Sequence, residues 1–207
     1  MSPGTKRVVW IIVAVVVLAF LVLGTRVVSN DNPAAQKAGS FNPDTYGAEN
    51  FPKVQKAVEK NAADAKTLAE AIAADPAKAA SEFAVQSSGG PVYSVTFTGV
   101  VGEGASGIYA VNVDGVSSDN LAIRVQTGPA INGTDLRDAT GDIKFGQFTN
   151  QIDYQNAAAA INEELKKKVL SDIDAASLQG KTIEVTGAFT LINPKSWLVT
   201  PVAVSVK

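Results

Sequence analysis

The sequence predicts an α+β protein: an OB-like five-stranded antiparallel barrel with an inserted long helix, preceded by an N-terminal transmembrane helix and a helical lead-in. Three observations predict it. Beyond Gly89-Gly90-Pro91 the vocabulary turns to alternating Val, Thr, Tyr and Phe in short runs separated by glycine-bearing turns. One strongly periodic helical stretch follows the third such run, and an unbroken apolar segment stands at the amino terminus. Three meander strands, a helix and a returning pair is the element order of an OB barrel; the same order also suits an open antiparallel sheet with the helix on one face.

Val8 to Leu23 is wholly apolar and runs on through Gly24 and Thr25 to Arg26. As a helix rising ~1.5 Å per residue it covers roughly 27 Å, close to the ~30 Å hydrocarbon core of a bilayer. Lys6 and Arg7 precede it and Trp10 sits where an interfacial aromatic belongs, so the positive-inside rule keeps the tail cytoplasmic and sends the rest outside. The competing reading is a cleavable signal peptide, with Val27-Val28-Ser29 as cleavage site. Both place the following domain beyond the membrane, at the cell surface or in the periplasm. A lipoprotein signal needs a cysteine after the apolar core, where this chain has Gly24-Thr25.

The tail and membrane helix thus occupy residues 1–28. Residues 29–50, rich in Asn, Asp, Pro, Ala and Gly without apolar period, read as a linker. Residues 51–88 form the helical lead-in, with Val54, Val58, Ala65, Leu68 and Ile72 on one face of a helix to Ala74. Asp75 as cap and Pro76 at the first helical position start a second helix, running to about Val85.

Residues 89–207 form the barrel. Val92–Val101, Gly107–Val113 and Asn120–Thr127 are predicted strands, followed by a loop from Gly128 to Gly141 and a short extended piece over Ile143–Phe148. Thr149 or Asn150 caps a helix of about 20 residues, with Tyr154, Ala158, Ile161, Leu165 and Val169 along one face. Thr182–Ala188 and Trp197–Val206 are the closing strands.

Composition excludes much chemistry. The chain has no His and no Cys, which removes disulfides, Cys or His metal sites, and Ser-His-Asp or Cys-His catalysis. Beyond Arg26, 15 basic residues face 20 acidic ones, so nothing draws the domain to a phosphate backbone and no nucleic-acid partner is expected. No enzyme, cofactor or metal is expected: Asp135, Asp138 and Asp142 do not have the spacing of a calcium loop.

Candidate binding residues gather in the Gly128–Gly141 loop and the entry to the long helix. Arg137 offers a planar fork to a polar ligand; equally, it pairs with a carboxylate such as Asp138 or Asp153 and fixes the loop. Asn132-Gly133-Thr134 matches the glycosylation acceptor pattern, to which no function is attached. Lys166-Lys167-Lys168 reads as a solvated patch complementing the helix dipole. Trp197 is either barrel packing or a sugar-stacking platform, with packing preferred.

In GPAINGTDLRDATGDIKFGQFTNQIDYQNAAAAIN, residues 128–162, with GKTIEVTGAF and VTPVAV beyond, the sequence resembles a bacterial family of predicted periplasmic lipoproteins whose genes accompany sugar-type ABC transporters. The resemblance runs from about Phe41 to the end and departs from the family name in lacking a cysteine to lipidate. It implies a membrane-tethered extracytoplasmic accessory role: a binding or interaction module for transporter components or a small polar ligand, with a purely structural or assembly role as the alternative. Thr134, Arg137, Asp138, Gln151 and Tyr154 are the positions matching the family signature, and the contact surface is expected there.

Overall fold

The computed structural model describes residues 41–116 and 121–207. The apolar run Val8–Leu23, the linker up to Ser40 and the first predicted residue of the third strand, Asn120, lie outside the described residues. Among the described residues no helix is long and apolar enough to cross a membrane.

The first helix, α1 (Pro43–Asn61), begins inside the stretch read as linker. Its start is a local signal that the loop-like composition masks: the Asn42 side chain accepts from the Thr45 amide and Pro43 occupies the first turn. The predicted continuous helix to Ala74 is instead two. After a two-residue strand β1 (Ala63–Asp64), Asp64 caps a new helix α2 (Ala65–Ala74) by accepting from the Lys66 and Thr67 amides. The break redirects the apolar face. Val54 and Val58 enter one core, and Ala65, Leu68 and Ile72 enter another. Asp75 and Pro76 start α3 (Pro76–Phe83) as predicted, but the chain leaves the helix at Ala84 and forms strand β2 (Ala84–Ser87).

The barrel strands follow the sequence closely. They are β3 (Gly90–Ala105), β4 (Ile108–Val113), β5 (Ala122–Gln126), β6 (Thr182–Thr190) and β7 (Ser196–Val206). Between them lie a one-turn helix α4 (Asp135–Asp138) and the long α5 (Gln151–Leu165), capped by Asn150. Residues Phe145–Gln147, expected to be extended, form a 3₁₀ turn closed by the Gln147 side chain accepting from the Lys144 amide.

Pairing runs β3-β4-β5-β7-β6 and back to β3, a closed ring. Four of its pairs are antiparallel; β5 and β7 are parallel, with Ile123 opposite Trp197. The all-antiparallel prediction could not hold, because five strands alternating in direction cannot close a ring without one like-directed pair. The free edge of β3 is covered in succession by β2, β1 and β4, which leaves little of it open to stray pairing. The lead-in is therefore part of the barrel domain.

Alternate residues fill the barrel: Tyr93, Val95 and Phe97 from β3, Ile183, Val185 and Phe189 from β6, Trp197 and Val199 from β7, with Leu68, Ile72 and Ala79 of the lead-in in the same cluster. A second core lies between the helices α1 and α5 and the outer side of β3, β6 and β7, where Phe51, Val54, Val58, Leu136, Ile161 and Leu165 meet Val92, Ala188 and Val202. At Gly47, α1 approaches α5 so closely that a Cβ would stand 2.5 Å from the Ala160 carbonyl oxygen.

α5 continues into a π-helical turn, Lys166–Leu170. One extra residue per turn moves the apolar seam, so the residue buried after Leu165 is Leu170 and not Val169. The three lysines of that turn pair with Glu163 and Glu164.

Candidate functional site

The predicted cluster assembles at the end of the β5–α5 connection. Arg137, 4% exposed, donates from Nε to Asp138 Oδ1 at 2.7 Å and from Nη2 to Asp138 Oδ2 at 3.0 Å. Its Nη1 donates to the Tyr154 carbonyl oxygen at 3.1 Å, and its guanidinium lies 3.6 Å from the centre of the Tyr154 ring. The Thr134 hydroxyl donates to Asp138 Oδ2 at 2.7 Å. The Tyr154 hydroxyl reaches Asp138 Oδ1 at 3.5 Å. Burial, and then the neighbouring Asp138 carboxylate, push the Tyr154 phenol above its ordinary pKa, so it remains a proton donor at neutral pH. Four of the five signature residues thus form one interlocked group, while Gln151 stands exposed on the first turn of α5 outside it.

The fork of Arg137 is spent inside the protein, and neighbouring groups explain why. A long connection must find partners for its backbone polar groups. Gln126 donates to the Asn132 carbonyl and to Thr200 Oγ1 and accepts from the Asn132 amide. Asn162 donates to the Gly133 carbonyl. The turn between β3 and β4 docks on the start of the same connection: at Gly107, with φ at +78°, a Cβ would lie 1.3 Å from the Gly128 carbonyl oxygen.

Asp135 has partners of its own, distinct from those of Asp138. Its carboxylate accepts from the Thr190 amide at 2.9 Å, the Thr190 hydroxyl at 2.6 Å and the Thr200 hydroxyl at 3.2 Å, pinning α4 to β6 and β7. Burial raises its pKa, and these hydrogen bonds offset the rise only in part. In the pH window between the ordinary aspartate value and the raised one, the native state therefore binds more protons than the unfolded chain. The contribution of Asp135 to stability falls as pH rises through that window. Asp135→Asn is expected to remove this fall and to match or exceed the wild type at pH 7. Asp135→Ala strands three donors and is expected to lose about 1–3 kcal/mol. Denaturant unfolding at stepped pH measures both.

The family model described as "Predicted periplasmic lipoprotein (DUF2291)" matches residues 15–205. The chain belongs to that family. In structure it is similar to a crystal structure of an OB-fold protein from Thermotoga maritima, with a TM-score of 0.65 and 19% identity, the match covering 82% of this chain and 100% of that one. That likeness supports the barrel reading over the open sheet. No curated protein matches the sequence.

For a member of this family, whose predicted setting is outside the cytoplasm, the accessible surface matters more than the sealed Arg137 group. Among the described residues a cleft of about 560 Å³ opens beside the lead-in helices. Ala69, Ile72 and Ala73 of α2 and Pro76 of α3 form one wall; Val116, Leu121 and Pro194 form the other. Lys66, Glu70 and Lys195 stand among the lining residues. No local pattern announces this cleft, because its walls come from three stretches far apart in the chain. The nearest signal is the weak amphipathicity of the lead-in, whose exposed alanines look unremarkable one by one. Among the described residues no group of three or more His, Cys, Asp or Glu side chains is placed to hold a metal ion. Trp197 is fully buried and stacks on Phe189 with ring centres 4.6 Å apart, so it is packing.

Proposed function

We propose that this chain is a non-catalytic accessory protein, held at the outer side of the membrane by the Val8–Leu23 segment, whose OB domain engages a protein partner through the α2–α3 cleft. The observation that carries the reading is the chemistry of that cleft. Among the described residues its lining is mainly alanine, proline and branched aliphatic side chains, with Lys66, Glu70 and Lys195 as the polar side chains and no aromatic ring. Sugar recognition calls for convergent hydrogen-bonding groups and a stacking ring. An apolar trough ringed by charges suits the side chains of another protein.

The setting beside a sugar-type ABC transporter comes from the resemblance of residues 128–162, and the partner proposed is a subunit of such a transporter. Thr134, Arg137, Asp138 and Tyr154 serve this function by holding the connection rigid, and Gln151 lies on the surface they support. The cleft also favours the assembly role over a solute-binding one.

A photo-crosslinking side chain placed at the exposed Ala73 of the full chain, in native membranes, is expected to capture a transporter subunit, and Ala69→Trp to suppress that adduct without loss of melting temperature. Absence of any adduct overturns the reading. Adduct yield that rises or falls with added sugar returns the protein to the solute-binding class.

A further inference from the structure

We infer that Asn132 is a site of spontaneous backbone modification, converted by attack of the Gly133 amide into an isoaspartyl linkage that loosens the connection held by Arg137. Asn132-Gly133 is the one place in the chain where asparagine is followed by glycine. A glycine there leaves the attacking nitrogen unshielded by a side chain and gives the backbone freedom to fold onto the preceding residue. Gly133 stands at φ +104°. Asn132 is exposed to water, and among the described residues neither its side-chain amide nor the Gly133 N–H has a hydrogen-bond partner. Every other asparagine is followed by a residue with a side chain, and Asn42, Asn50 and Asn150 also commit their side chains to neighbouring groups.

The deprotonated Gly133 nitrogen attacks the side-chain carbonyl carbon of Asn132, and ammonia leaves as the succinimide ring closes. Water from the solvent then opens the ring. Breaking the bond between nitrogen and the side-chain carbonyl gives an ordinary aspartate; breaking the bond to the main-chain carbonyl gives isoaspartate. In the second product the chain runs through the former side chain, longer by a carbon, and a free carboxylate stands where the Asn132 main-chain carbonyl was. That carbonyl is the one to which Gln126, 1% exposed, donates, while Gln126 also accepts from the Asn132 amide. Asn162 holds the next carbonyl, that of Gly133. The added carbon falls between these pins, so the grip at Gln126 and the grip at Asn162 cannot be kept together. The chain then enters α4, where Thr134 and Arg137 hold Asp138. An ordinary aspartate at position 132 leaves the backbone unchanged and adds only an exposed charge.

This inference is independent of the tether and of the cleft. To test it, the purified full chain is aged at mildly alkaline pH, and peptide mapping by mass spectrometry locates each deamidated residue and separates aspartate from isoaspartate. Conversion is expected at Asn132 ahead of every other asparagine. The isoaspartyl fraction, separated by its added negative charge, is expected to melt lower by on the order of 5 °C, the loss of buried hydrogen bonds at the Gln126 and Asn162 pins. Asn132→Asp carries the same charge on a normal backbone and is expected to melt within about 2 °C of wild type. Asn132→Gln is expected to age with neither the acidic fraction nor the fall in melting temperature. Absence of conversion at Asn132 in the folded chain, or conversion no faster than at Asn112 or Asn156, overturns the inference. So does an isoaspartyl fraction that melts with the wild type, or an Asn132→Asp protein that melts as low as that fraction. Loss of melting temperature in aged Asn132→Gln at the wild-type pace overturns it as well.

Discussion

Replacing Arg137 with alanine is expected to destabilise the domain by about 3–5 kcal/mol, the cost of leaving one partner of a buried ion pair behind. The Asp138 carboxylate would keep only the Thr134 hydroxyl at 2.7 Å and the distant Tyr154 hydroxyl, at a site where the residue is 7% exposed. Against a typical total of ~5–15 kcal/mol this is a large fraction, and for a domain of this size it corresponds to a drop in melting temperature on the order of 10 °C. Arg137→Lys retains the charge but neither the two-pronged contact nor the stacking on Tyr154, and is expected to fall between. The double variant Arg137→Met, Asp138→Leu removes the pair together and is expected to be markedly more stable than the sum of the single losses, because buried pairs exchanged for apolar side chains are often neutral. Thermal and denaturant unfolding of wild type, these three variants and the single variants Arg137→Met and Asp138→Leu measures this. A melting temperature in Arg137→Ala within about 2 °C of wild type, accompanied by loss of the crosslinked partner, would move Arg137 from scaffold to contact surface.

The signature segment illustrates what the residues declared and what they withheld. A fork-shaped donor beside carboxylates on a long connection was legible as a polar group with a job, and both readings of that job were available from Arg137 and Asp138 alone. The choice between them depends on where the Tyr154 carbonyl and ring sit, which is set by the docking of α5 on α1 through Phe51 and Ile161. No local pattern encodes that distance. The barrel strands were legible because period-two alternation and flanking glycines are local, and even the extra turns at Pro43 and Asp64 were written in cap residues that a linker-like composition obscured. The seam shift from Val169 to Leu170 was not legible, since a π turn has no distinctive composition. The cleft was least legible of all. It exists because α2, α3 and the loops at Val116 and Pro194 meet, and none of those segments carries a motif.

Trp197 tests the barrel itself. Its indole is fully buried and forms the end of a three-ring stack, with Phe189 at 4.6 Å and Phe189 in turn 5.5 Å from Tyr93. These rings come from β7, β6 and β3, so the stack spans the antiparallel pairs β3–β6 and β6–β7 inside the barrel. Trp197→Ala is expected to cost about 3–5 kcal/mol, combining lost transfer energy with a cavity that a closed barrel cannot collapse. Trp197→Phe keeps an aromatic face toward Phe189 and is expected to recover most of this. In a double-mutant cycle with Phe189→Leu, the coupling between the two rings should come to roughly 0.5–1.5 kcal/mol. Near-wild-type stability of Trp197→Ala in denaturant unfolding would show that the indole is not packed against Phe189 in the barrel interior.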